Sequence, residues 1–159
     1  MLCEKILGNC ADDGFSGKTV DYVDIPWDEA FKKIHRKVSA AGREVGIRLD
    51  DSILTRGLSQ GDVLGVEGDT VIAVNIPPCK AILIWVDPFH PQMAAKVCYE
   101  IGNRHASLFW GEKENSFITP YNEPMLLMLS KLPGVEAQVR EVKLDFDRRI
   151  SASINAHTH

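Results

Sequence analysis

No two cysteines in this chain are spaced as C-x-x-C. Cys3, Cys10, Cys79 and Cys98 are scattered along 159 residues, which excludes zinc-knuckle and thioredoxin-type dithiol chemistry and leaves free thiols of a reducing compartment. Long hydrophobic runs are missing too. Nothing approaches the roughly 20 apolar residues of a membrane span, and Glu4, Asn9, Asp12 and Asp13 break the basic-then-apolar order of a secretory signal. A cytoplasmic location with no membrane partner is the expectation. Positive charge is in deficit, with a net charge of −4 and a pI near 5.7, whereas a phosphate backbone is bound by clustered cations that release counterions. No nucleic-acid partner is expected. Catalytic signatures are absent as well: there is no phosphate loop, nucleophile elbow or H-E-x-x-H helix. The chain reads as a non-enzyme.

What is present divides into two halves with different punctuation. Nine of the twelve glycines lie in residues 1–75, and seven of the eight prolines follow Asn75, with "NIPPCK" marking the shift. The first half, 1–75, reads as short strands ("CEKILGNC", "KTVDYVDIPW", "EVGIRL", "DVLGVEG", "TVIAVNI") separated by turn signals, and predicts an all-β domain. One stretch fits two patterns. In "DEAFKKIHRKVSAAG", Phe31, Ile34, His35 and Val38 sit at helical spacing, while Ile34, Val38 and Ala40 fit one strand face.

The second half predicts β-α-β-β-α-β over residues 79–146, a ferredoxin-like arrangement within a domain at 76–146. "KAILIWV" is a strand covered on both faces. In "DPFHPQMAAKVCYEIG", Ala94, Val97, Cys98 and Ile101 make the buried stripe, which gives Cys98 a structural role, and Gly102 is expected at the left-handed position past the helix end. "SLFWGE" and "SFITPY" bracket a hairpin. Asn122 caps a second helix that buries Met125, Met128, Leu129 and Leu132 and stops at Pro133-Gly134. The last strand, "VEAQVREVKLDF", changes parity between Val139 and Val142, which predicts a bulge or bend. The fold class is therefore α+β, ending in a flexible tail at 147–159 that carries His157 and His159. A domain as small as 76–146 gains by burying a face against a second copy, so a homodimer is expected.

The "GNRH" at Gly102–His105 closes the first of these helices. By itself a histidine past a helix end is a polar surface residue or a cap. The stretches "VDYVDI", "GREVGIRL", "LTRGLSQGDVL" and "DPFHPQMAAKVCYEIGNRH" together tip that balance, because with them the sequence resembles the UreE family of urease accessory proteins, bacterial nickel metallochaperones. The resemblance implies an N-terminal β domain likened to a chaperone peptide-binding domain, with strands where Phe31 to Ala40 stand. It also implies a ferredoxin-like metal-binding and dimerisation domain.

In that family the GNRH histidine of each chain faces its twin across a two-fold axis, and His105 holds that place here, with His157 and His159 as the short version of a histidine-bearing tail. The implied metal ligands are thus His105, His157 and His159. Gly102, Asn103 and Arg104 are expected to shape the helix end and the interface, since a guanidinium repels a cation. His35 and His90 are expected to be surface or capping residues. The hairpin from Phe109 to Tyr121 lacks the histidines of some relatives, and "DFDRRISASI" replaces the family's "GAY" element, so one principal site per dimer is the expectation.

The function so implied is a nickel carrier: a homodimer, extending to a dimer of dimers around metal, that hands Ni²⁺ to the urease activation complex through the accessory GTPase UreG. Imidazoles also accept Zn²⁺ and Cu²⁺, so the ligand set alone fixes no selectivity. An imidazole ligand must shed its proton to bind, so affinity weakens below about pH 6.5, where histidine ordinarily titrates. The rival readings are a scaffold or peptide-binding protein with incidental histidines, and a ferredoxin-like RNA-binding domain. The second is disfavoured because "SFITPY" and "ILIWV" set no arginine or lysine beside their rings.

Overall fold

The computed structural model describes residues 1–151 and is mixed α+β, mostly sheet. The chain forms two compact units, Met1–Pro77 and the segment from Pro78 onward. Among the described residues no helix is long and apolar enough to cross a membrane.

The first unit contains β1 (Leu2–Cys3), β2 (Gly8–Asn9), β3 (Thr19–Asp24), β4 (Ile34–Val38), β5 (Glu44–Arg48), a single helical turn α1 (Ile53–Arg56), β6 (Asp62–Glu67) and β7 (Thr70–Asn75). They make a three-stranded sheet, β1-β5-β4, and a four-stranded sheet, β2-β6-β7-β3. Alternation in β3 turns Asp21 and Val23 inward and leaves Tyr22 and Asp24 out. The buried Asp21 carboxylate accepts from the Ser39 hydroxyl at 2.6 Å, the Ala41 N–H at 3.0 Å and the Arg43 guanidinium at 2.6 Å. Burial would raise its pKa, but these donors together hold it below the usual carboxylate range.

The stretch that fitted two patterns is strand β4. Ile34 and Val38 are exposed and His35 between them is buried, a period of two that helical spacing does not produce. His35 is therefore a core residue and not the surface or capping residue the sequence suggested. Its Nε2–H donates to the Lys32 carbonyl at 2.9 Å, and burial pushes its pKa down.

The second unit runs β8 (Cys79–Val86), α2 (Gln92–Asn103), β9 (Phe109–Trp110), β10 (Ser116–Pro120), α3 (Glu123–Ser130) and β11 (Val135–Val142). Its sheet has the order β11-β8-β10-β9 with every neighbouring pair antiparallel. Ile82, Ile84 and Val86, alternate residues of β8, pack with Val97 and Ile101 of α2 and with Met125 and Leu129 of α3, so both helices cover one face. Each such side chain contributes about 1.5–3 kcal/mol by leaving water. Asn122 caps α3 as expected, its Oδ1 accepting from the Met125 N–H at 3.0 Å. Gly134, at φ +74°, turns the chain into β11, and a Cβ there would lie 2.8 Å from the His90 ring.

Three expectations are corrected here, in whole or in part. The bulge in β11 is absent: its pairing with β8 runs unbroken from Val135↔Val86 to Val142↔Cys79. Of the apolar stripe read for α3, only Met125 and Leu129 are fully buried, while Met128 and Leu132 are half-buried. The tail expected from Asp147 onward does not begin there. Residues 147–151 are instead tied down, with the Arg148 guanidinium donating to the Gly111 carbonyl at 2.5 Å and Arg149 paired with Phe109.

Candidate metal centre

His105 sits where α2 stops. The Arg104 N–H donates to the Ile101 carbonyl at 3.2 Å, the His105 N–H to Gly102 at 2.9 Å, and the Ala106 N–H to Ile101 at 3.2 Å. The last two bonds, closing on the third and second residues from the helix end, form a Schellman cap. A cap of this kind puts one residue in the left-handed region, and here that residue is His105, at φ +56°. Gly102, expected in that role, is an ordinary helical residue one turn earlier. It is exposed, and a Cβ added to it would meet nothing within 4 Å.

The base beneath His105 is held on two sides. Ala106 packs against the core, and the buried Thr119 hydroxyl donates to the Ser107 carbonyl at 2.7 Å, fixing the segment to β10. Along α2, the Arg104 guanidinium donates to the Glu100 carbonyl at 3.0 Å and to its carboxylate at 2.5 Å, while Lys96 reaches the same carboxylate at 3.2 Å. The Arg104 bond, then that from Lys96, lowers the Glu100 pKa. Arg104 thus braces the last turn of the helix, while Asn103 and the His105 ring are exposed.

The far end of the described chain comes back to this place. The Ile150 N–H donates to the Leu108 carbonyl at 2.7 Å and the Leu108 N–H to the Ser151 hydroxyl at 3.5 Å. Because Phe109 and Arg149 pair antiparallel, residues 149–151 run back along β9 in the direction of His105. His157 and His159 lie outside the described residues. Among the described residues, no three His, Cys, Asp or Glu side chains come together as a metal-ligand set. Thr119 and Ser151, which hold the loop after His105, carried no signal in the sequence, since one hydroxyl in a strand and one in a terminal segment match no motif.

Comparison with known proteins gives this geometry a context. Residues 3–77 match the family model described as the UreE urease accessory protein, N-terminal domain. The urease accessory protein UreE of Helicobacter pylori strain G27 is 43% identical over 154 residues, covering 97% of this chain and 88% of that protein. The chain belongs to the UreE urease accessory protein family. The UreE proteins of Helicobacter acinonychis, 42% identical over 154 residues, and of Helicobacter bizzozeronii, 37% identical over 153 residues, cover 97% and 96% of the chain. Membership in the family thus extends across both units.

Proposed function

We propose that this protein is a nickel carrier in urease maturation, and that His105 is its principal ligand. The observation that carries this reading is an exchange of residue types at the end of α2. A non-glycine residue in the left-handed region costs about 1–3 kcal/mol, and a glycine in an exposed helical position costs about 1 kcal/mol relative to alanine. Placing glycine at 105 and alanine at 102 would relieve both. On backbone preference alone the arrangement found is not the one a helix end favours, and we read the exposed imidazole at 105 as placed for a metal ion.

A neutral imidazole is a good borderline ligand for Ni²⁺, and a single one is weak. The described residues of one chain do not complete a ligand set, so completion falls to a second copy and to the tail. In an isologous dimer built through the second unit, which we read as a ferredoxin-like metal-binding domain, two-fold symmetry sets His105 against its twin. Bare Gly102, one turn back on the same helix, gives the approaching copy room, with Asn103 and Arg104 completing the interface. His157 stands six residues beyond Ser151, within about 20 Å of extended chain, and Ser151 is already bonded at Leu108. His157 and His159 of either chain then add imidazoles at high effective concentration.

Few fixed ligands and a few on a tether suit a cargo that must be captured and later surrendered, whereas a closed four-cysteine cage would release poorly. Nickel is in this sense a substrate, passed to the urease activation complex through the accessory GTPase UreG in the cytoplasm, with no bond made or broken in the protein. The first unit, with its peptide-binding-like β architecture, serves partner recognition. Zn²⁺ and Cu²⁺ compete for the same imidazoles.

Equilibrium dialysis with Ni²⁺ on the intact chain, on His105→Ala and on a chain cut after Ile154 tests this. The expected result is one nickel per two chains, affinity at least tenfold lower for His105→Ala, and a smaller loss for the shortened chain. Unchanged binding in both variants would leave a scaffold with incidental histidines.

A further inference from the structure

Helix α3 is apolar on nearly every side, reading Met125-Leu126-Leu127-Met128-Leu129 after Pro124. A helix of that composition is ordinarily buried all round. Here only Met125 and Leu129 are fully buried, Leu126 and Met128 pack against the core with part of their surface, and Leu127 is 55% exposed. Between α3 and α2 lies an open groove of about 490 Å³, its floor made by Pro124, Leu127, Met128 and Leu132. The charges that line it are Lys96, Lys131 and Glu100. Glu100 is paired with both Lys96 and Arg104, so together with Lys131 the groove and its wall set three cations against one carboxylate, on a molecule whose net charge is −4.

The geometry points to this groove as the docking site for an acidic amphipathic helix of a protein partner. An apolar stripe with i, i+3, i+4 spacing fills the floor over Leu127 and Met128, and flanking carboxylates meet Lys96 and Lys131. A second copy of this chain is a poor occupant, because an isologous contact through the groove sets lysines against lysines and its one carboxylate is taken. The wall formed by Lys96, Glu100 and Arg104 leads along α2 to His105, so a partner seated here stands beside the end of that helix. The groove needs no nickel at His105 to bind.

The test uses the full chain and two labelled 18-residue helical peptides sharing one leucine stripe, one flanked by glutamates and the other by lysines. Fluorescence anisotropy is expected to show the glutamate peptide binding at least tenfold tighter than the lysine peptide. Adding 0.5 M salt, or the double variant Lys96→Glu with Lys131→Glu, should weaken it about tenfold, and Leu127→Asp should abolish it. Because Leu127 is exposed, Leu127→Asp keeps the fold, which its circular dichroism melting curve verifies. Equal binding of the two peptides, no binding of either, or full binding by Leu127→Asp would overturn the proposal. So would dissociation of a dimer into monomers by Leu127→Asp in sedimentation, since a second copy would then be the occupant.

Discussion

The two helices of the second unit end in opposite ways. Helix α3 starts on an asparagine that caps it and leads into β11 through Gly134, which alone among residue types takes φ +74° beside the His90 ring without strain. Helix α2 starts with no side-chain cap and closes on a histidine at φ +56°, with its glycine spent one turn earlier where any residue would fit. Where only the fold is at stake, the chain uses the residue types that local physics favours. Where it does not, as at Gly102 and His105, the departure from local preference is what the metal-ligand proposal explains.

Substitutions at the two helix ends should therefore split into distinct classes. The largest effect is expected at α3: Gly134→Ala combines a strained φ with a clash on His90 and should lower stability by about 2–3 kcal/mol in urea unfolding, with nickel stoichiometry of the folded fraction unchanged. Next, His105→Gly should raise stability by about 1 kcal/mol by relieving the left-handed residue while removing nickel binding. A loss of stability there would end the contrast between the two helix ends. Asn122→Ala should cost about 1 kcal/mol with no effect on nickel. Gly102→Ala should raise the melting temperature, through a gain of up to about 1 kcal/mol in the helix, and weaken dimer and nickel affinity together. A gain in stability with no loss of either would make Gly102 a mere weak point of the helix.

A smaller, pH-dependent effect comes from two buried groups of the first unit, His35 and Asp21. The folded-state pKa of His35 is pushed down by burial, so above about pH 6.5 the ring is neutral in both folded and unfolded chains and pH has no effect through it. Below that, the unfolded chain takes up the proton first, and stability falls as pH drops towards the lowered folded value. Asp21 acts in a second window: its lowered pKa gives stability that is present above about pH 4 and is lost as the carboxylate protonates in more acid solution. Urea midpoints between pH 8 and 3 should decline in these windows, and His35→Gln should remove the first decline.

Much of this architecture was legible in the residues. Strands β3, β5, β6 and β7, the Asn122 cap and the Val97 and Ile101 stripe follow from alternation, capping chemistry and helical period, whereas β4 fits helical spacing as well and is told apart by the family resemblance. The failures have physical causes. Glycine is the default left-handed residue, so residue-type reasoning assigned Gly102 to a place that His105 holds. The parity change in β11 involves Glu141 and Val142 opposite Lys80 and Cys79 at the strand ends, where residues of either kind are tolerated and alternation loses its meaning. His35 looked like a surface residue because its burial depends on a sheet partner, Ile47, twelve residues away. The return of residues 149–151 to the loop after His105 joins positions more than 40 apart, which no local pattern encodes.

The claim at the centre of this account is that one imidazole per chain, held past the end of α2, becomes a shared nickel ligand when two chains meet. A crystal of the full chain grown with Ni²⁺ and measured at the nickel absorption edge tests it most directly. The expected result is a single anomalous peak on a two-fold axis between paired His105 rings. Nickel bound away from His105, or copies that meet through another surface with the two rings far apart, would contradict it.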